Sequence, residues 1–260
     1  MVNYISYLHP PPRGSGICDN NLMKNVTETK AEAVREMFSA IAHRYDMLNH
    51  LLSFGIDITW RKRAVACFGD GYTGEFLDIA CGTGDLSIAI AEGGSGGARV
   101  LGGDFSERMV EIGREKMKNK GLEGRITLEL ADALNLTYAD GRFDGVTCAF
   151  GVRNFADLDR GLWQMARVLK KGGRMVILEF TTPQNMFFAA IYRFYFTRVL
   201  PLVGGMISGR KSAYEYLPDS VYRFPTPRET LRKLEDLGLE KTEFIPLTFG
   251  ICGIYTGVKK

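Results

Sequence analysis

The sequence predicts an α/β fold: a mostly parallel seven-stranded sheet with helices on both faces and an antiparallel hairpin at its C-terminal end. Three observations carry this. Strand-like runs alternate with helical periods between residues 75 and 180, and βα repeats of that length build a parallel sheet covered on both sides. The last two strand-like runs, 240–246 and 251–258, are joined by a short turn near Gly250, so they pair antiparallel. The 260 residues are 45% hydrophobic and 24% charged, with 30 glycines against 9 prolines. That composition supports a large core and excludes a disordered, collagenous or coiled-coil chain.

The elements follow in order. Residues 1–30 read as a disordered extension, with Pro10-Pro11-Pro12 and then Gly14 and Gly16. Met1 and Met23 are equally acceptable starts. No basic start precedes an apolar run there, so no secretory peptide is expected. Residues 31–260 read as one domain. Val34, Met37, Phe38, Ile41, Tyr45 and Leu48 recur at helical spacing, and with a second helix over 57–68 they form an N-terminal cover, 31–70. Strands are expected at 75–79, 98–103, 126–130, 143–149 and 173–180, and helices at 84–92, 106–119 and 157–169. Asp157 is an N-cap of the last of these, and Gly172 lies beyond its end. Prolines are absent from 13 to 182 and return at Pro183, where the chain changes character. Helices are expected at 186–199 and 212–217, and Pro227 starts another that ends at Leu237-Gly238.

Residues 183–226 hold ten of the 29 aromatic residues, five basic residues and two acids. Their net charge of +3 equals that of the whole chain. This insertion reads either as a substrate lid that touches anionic membrane lipid, or as a helical cap or homodimer interface. The small total charge makes no case for nucleic acid. The longest uncharged runs fall far short of the ~20 residues a spanning helix needs. Five widely spaced cysteines without a C-x-x-C pair disfavour a disulfide framework or a zinc site and fit a reducing cytoplasm. No metal is expected.

Phe76 to Leu86 is a strand, a glycine turn (Cys81-Gly82-Thr83-Gly84) and a helix start. Such a turn serves either as a plain tight turn or as a ligand cradle, since glycine admits close approach and the helix N-terminus offers free N–H groups. Asp104 ends the next strand twenty residues after Gly84, the place where a carboxylate binds a ribose diol. Ser87 stands where a dinucleotide fingerprint wants glycine or alanine, and Asp78 and Asp85 bring negative charge that repels a pyrophosphate. A cationic, phosphate-free nucleoside fits better, which describes S-adenosylmethionine (SAM). Asp132, after the third strand, would accept from the adenine amino group or serve as a turn carboxylate.

Asp78 to Asp85, Asp104 and Asp132-Ala133 resemble the class I SAM-dependent methyltransferases, whose core is Rossmann-like. Phe143 to Asn154, Arg167 to Arg174 continuing to Leu178-Glu179-Phe180, Tyr45 to Asn49, Leu52 to Gly55 and Tyr214 to Leu217 are similar to the ubiquinone/menaquinone-biosynthesis C-methyltransferases, of the UbiE/MenG type. The resemblance runs from about residue 31 to the C-terminus. It implies methylation of a polyprenylated quinol carbon, most simply demethylmenaquinol to menaquinol, at the inner face of a membrane. The benzoquinol counterpart of ubiquinone biosynthesis and a non-catalytic SAM-binding regulator are the alternatives. By position it implies cofactor contacts from Asp78, Gly82, Thr83, Gly84, Asp104, Phe105, Asp132, Ala133 and Ala149. Many members carry serine where this chain has Ala149.

Methyl transfer from a sulfonium is an in-line displacement on a carbon activated by a neighbouring quinol oxyanion. Arg153 is assigned to that oxyanion, directly or through a water, because a guanidinium stays protonated and is a poor direct base. A salt bridge to Asp157 or Asp159 is the structural alternative. Asn154 stands beside it, and Tyr45 closes over cofactor or substrate unless it is merely core. His43 and His50 read as surface or packing residues, with no acidic partner evident.

Overall fold

The computed structural model describes residues 20–199, 201–202, 206 and 211–260. The cover consists of α1 (Asn20–Leu52) and α2 (Ile56–Ala66). Then follow β1 (Gly74–Ile79), α3 (Asp85–Gly93), β2 (Ala98–Asp104), α4 (Glu107–Asn119), β3 (Ile126–Leu130), β4 (Phe143–Ala149), α5 (Leu158–Val168) and β5 (Leu169–Phe180). The insertion supplies α6 (Met186–Phe194), which runs into a π turn at Tyr195–Val199, and α7 (Lys211–Arg223). The chain closes with α8 (Pro227–Asp236), β6 (Leu239–Leu247) and β7 (Cys252–Lys259).

The seven strands lie in the order β3-β2-β1-β4-β5-β7-β6. β1 to β5 are parallel, whereas β7 runs antiparallel between β5 and β6. Strand order reverses between β1 and β4, and a crevice opens at the C-terminal ends of strands on either side of such a point. The central strands are buried on both faces. Leu77, Val146, Met175 and Ile177 pack with Leu162 and Met165 of α5 and Leu234 of α8. On the opposite face Phe76, Val100 and Leu128 pack with Ile90 of α3 and Met117 of α4.

Helix starts follow local chemistry. Ser106 caps α4 and, as expected, Asp157 caps α5, each side chain accepting a backbone N–H inside its helix. Thr226 and Glu229 form a capping box, with Pro227 in the first turn of α8.

Three boundaries differ from expectation. α1 begins at Asn20, so residues 20–30 are helical rather than part of a disordered extension; no glycine or proline interrupts them. Residues 1–19 lie outside the described residues. β5 starts at Leu169 rather than at 173, so Gly172 (φ 75°), which lies beyond the end of α5 as expected, is already within the strand. α7 is longer than 212–217 and carries Pro218 within it.

Candidate active site

Two cavities meet above the strand ends. The first, about 80 Å³, is lined by Gly82, Asp104, Phe105, Asp132, Ala133 and Ala149, with Asn154 and Tyr45 at its edges. The second, about 680 Å³, is a chamber walled by aromatic and aliphatic side chains of α1, α2, α6 and the π turn, and it also contains Arg153. Phe38, Tyr45 and Phe150 line both.

The backbone makes the crevice. Ala80 (φ 54°) and Phe150 (φ 58°) adopt left-handed conformations where the adjacent strands β1 and β4 leave the sheet. Non-glycine residues hold that conformation only where surroundings over-determine it, and such positions cluster at functional sites. Gly151 is part of the constraint: a Cβ there would lie 2.6 Å from both the Ala80 Cβ and the Cys148 Sγ. A larger residue would force the two strand ends apart.

Asp104 ties the glycine turn to β2. Its Oδ2 accepts from the Gly82 N–H at 2.8 Å and its Oδ1 from the Ser106 N–H at 2.9 Å. Burial pushes its carboxyl above the usual range, and these backbone donors pull against that rise. Each oxygen keeps acceptor capacity for a ligand. Asp132 acts as a turn carboxylate, its Oδ1 accepting from the Leu134 N–H at 2.9 Å, and it also lines the first cavity.

Asp78, Thr83 and Gly84 are absent from this cavity wall. Asp78 is fully buried beneath the turn, where it accepts from the Ser87 and Thr147 hydroxyls at 2.7 and 3.1 Å. Burial raises its pKa to about 6 despite those donors. Ser87, at the fingerprint glycine position, thus anchors the turn from below. The Thr83 hydroxyl donates to Asp46 of α1 at 2.6 Å, so it fastens the cover. Gly84 is the left-handed N-cap of α3 (φ 87°), packed closely against the Met117 side chain. Asp85 also turns away from the expected role. It pairs with Lys116 and Arg61, which hold its carboxyl below the ordinary range against the opposing effect of burial. Of the acids around the turn, Asp104 and Asp132 are the ones that line the first cavity.

Arg153 lies on a 3₁₀ turn, Val152–Asn154, directly after β4. Neither Asp157 nor Asp159 is its partner: Asp157 caps α5, and Asp159 pairs with Lys233. Arg153 instead donates to Glu179 at 2.7 Å, to the Phe150 carbonyl and, through Nε, to the Ser220 hydroxyl at 3.3 Å. Burial opposes its charge, but the Glu179 carboxylate holds the guanidinium protonated. Glu179 itself is fully buried, and burial pushes its carboxyl up while Arg153 and two backbone N–H groups oppose the rise. Sequence reasoning missed Glu179 as the partner. The signal was a single acid inside the apolar run Met175–Phe180, since a buried charge needs a counter-charge.

Asn154 donates Nδ2 to the Phe150 carbonyl at 3.3 Å and leaves Oδ1 buried without a partner. Burial pushes the Tyr45 phenol up, so it stays protonated, and its ring meets Phe38 edge-on at 5.8 Å. His50 has the acidic partner that the sequence did not reveal. Asp57 lies 2.8 Å from its Nδ1 and also binds Ser53 and Arg61. His43 contacts Arg108 on the exposed face of α1. Burial pushes the Cys81 thiol far above its ordinary range, which disfavours the reactive thiolate.

Comparison with known proteins agrees with this geometry. The profile of the ubiE/COQ5 methyltransferase family matches residues 23–259. The ubiquinone/menaquinone biosynthesis C-methyltransferase UbiE of Geobacter sulfurreducens is 49% identical over 237 residues, covering 91% of this chain and 92% of that protein. The demethylmenaquinone methyltransferase of Thermus thermophilus is 49% identical over 221 residues, covering 85% and 99%. Among solved structures, a SAM-dependent methyltransferase of Thermotoga maritima superposes with a TM-score of 0.61 at 19% identity, covering 86% of this chain and 99% of the other. The [4+2]-cyclase SpnF gives 0.65 at 17%, covering 88% and 96%. These two likenesses concern the fold. The strand order, the crevice and the matches over nearly the whole chain make it a member of the ubiE/COQ5 methyltransferase family, with SAM as methyl donor.

Proposed function

We propose that this chain transfers the methyl group of SAM to a ring carbon of a polyprenylated quinol, converting demethylmenaquinol to menaquinol. The observation that carries this reading is a strand-end cavity, with Asp104 and Asp132 in its wall, that shares lining residues with a large aromatic chamber holding a buried guanidinium. A quinol head with an isoprenoid tail needs both an apolar enclosure and a cation at its ring oxygen. Relatives named demethylmenaquinone methyltransferase, at 45% identity in Deinococcus radiodurans and 49% in Thermus thermophilus, support a quinol substrate, and the relative in Geobacter sulfurreducens, also at 49%, is named for both quinones.

The first cavity suits SAM: small residues leave room beside the turn, Asp104 retains acceptor capacity at its floor, and the Asn154 Oδ1 lacks a donor. Gly82, Asp104, Phe105, Asp132, Ala133 and Ala149 would hold it. When bound, SAM supplies an electrophilic methyl group. Arg153 stabilises the quinol oxyanion, Asn154 orients groups at the junction, and the protonated Tyr45 encloses both ligands. Asp78, Thr83 and Gly84 support the turn from behind.

The insertion forms the chamber's lid and contacts anionic lipid. Met186, Phe187, Ile191 and Phe194 of α6 are exposed, as are Arg193 and Arg198 between and beyond them. Phe249 and Phe54 extend the apolar surface, at 69% and 87% exposure. Apolar rings interleaved with basic residues suit a bilayer surface. No helix among the described residues is long and apolar enough to cross a membrane.

The test incubates the pure protein with methyl-labelled SAM and reduced demethylmenaquinone in anionic vesicles, with the demethylated benzoquinol in parallel. Label should enter the naphthoquinol, and the protein should float with the vesicles. SAM binding without label in either quinol would refute the enzyme reading; absence of flotation would refute the lipid surface.

A further inference from the structure

Besides Arg153 the chamber wall carries further polar side chains, among them Tyr45, Asn49, Arg61, Tyr192 and Tyr216. Tyr192 of α6 is 3% exposed, lines the chamber, and has its hydroxyl buried without a hydrogen-bond partner. Its ring packs in a tilted contact on Phe196, with 4.0 Å between centroids and 31° between planes. Phenylalanine would fill the same space without the cost of an unmet hydroxyl, since buried polar groups are otherwise paired. Burial pushes this phenol far above its ordinary range, with nearby Arg153 opposing, so the O–H stays a donor throughout the physiological pH range.

A quinol carries two ring oxygens. One becomes the oxyanion that Arg153 faces, and the other must also be desolvated when the head enters an apolar chamber. We infer that the Tyr192 hydroxyl donates a hydrogen bond to this second ring oxygen and thereby fixes the rotational setting of the head, selecting which ring carbon faces the methyl donor. This rests on the quinol reading above. It gives α6 a part in substrate recognition in addition to its part in the lid. It also explains why a tyrosine stands inside an otherwise apolar cluster with Ile41, Leu48 and Phe196.

Tyr192→Phe tests it, because the change removes one oxygen and keeps the packing. The variant should melt at or above the wild-type temperature, bind SAM unchanged, and show KM for reduced demethylmenaquinone raised about tenfold. Quenching of intrinsic fluorescence by the same quinol should give a Kd raised by a similar factor. An unchanged KM and quinol Kd would overturn the inference, as would a lowered melting temperature with quinol Kd intact in the folded fraction. Tyr192→Trp, which restores a donor on a larger ring, should recover part of the affinity; recovery by Tyr192→Leu instead would also overturn it. If the wild-type protein itself neither binds nor methylates the quinol, the functional reading fails, and that outcome is separate from equal binding by wild type and variant.

Discussion

The two cavities are built from different material. The first has a floor of strand ends and tight turns, where glycine, alanine and two aspartates stand among larger side chains such as Phe105, Met109 and Leu134, and left-handed backbone at Ala80, Gly82 and Phe150 shapes it. The second is walled by side chains of helices far apart in sequence: Ile41 of α1, Trp60 of α2, Tyr192 of α6 and Leu217 of α7. A nucleoside common to many reactions is met by a fixed backbone frame. A variable apolar substrate is met by helices that can be exchanged without disturbing the sheet.

The strongest way to break this contrast is to disturb the Arg153–Glu179 ion pair, which links the chamber to the sheet. Glu179→Ala should destabilise the protein by about 3–5 kcal/mol in urea denaturation, because it strands a buried guanidinium. Combining Arg153→Met with Glu179→Leu should restore most of that stability and leave turnover low. A double variant with normal turnover would remove Arg153 from the chemistry.

The next effect sharpens the difference between the wall of the first cavity and the strut beneath it. The folded pKa of Asp78, about 6, lies above its ordinary value of 3.8. Between these values the folded protein keeps the proton and the unfolded chain loses it. This group's contribution to stability therefore falls as pH rises through that window, by roughly 3 kcal/mol at most. Asp78→Asn should flatten the pH dependence of stability between pH 4 and 6; an unaltered slope would show that Asp78 is ionised there. Asp57 and Asp85 carry the opposite sign. Arg61 and the other donors hold their carboxyls down against burial, so their contribution is full above the unfolded value and is lost as pH falls through the lower folded one.

A smaller effect belongs to Asp104, which lies in the wall itself. Asp104→Asn should weaken SAM binding by about 1.5–3 kcal/mol, the worth of hydrogen bonds to a charged group, while quinol Kd stays within twofold. Calorimetry with each ligand separates the two. Equal losses for both would mean that the cavities are not the independent constructions described above.

The same contrast explains what could be read from the chain. Asp104, Phe105, Asp132 and Ala133 were legible because each belongs to a turn that follows its own strand, and a parallel sheet gathers those turns at one edge. The alternation of strands and helices and the closing hairpin were legible for a similar reason, since each is a local period or a short connection. Asp78, Thr83 and Gly84 were placed in the wall because a loop pattern does not say which of its side chains points up and which down. Glu179 and Tyr192 depend on elements meeting across long sequence distances, and no local pattern records such meetings. His50 is hidden for a different, local reason. Its partner Asp57 lies only seven residues on, but the bend at Ser53 to Gly55 turns one toward the other.

The long first helix has a consequence for how the two ligands influence each other. At 1.5 Å per residue its 33 residues extend about 50 Å. It lends Ala31 to one cavity, Met37, Ile41 and Leu52 to the other, and Phe38 and Tyr45 to both. A ligand that steadies this rod from one side lowers the ordering left for the ligand on the other side. Thermodynamic linkage then requires the help to be mutual: the factor by which SAM tightens quinol binding equals the factor by which quinol tightens SAM binding.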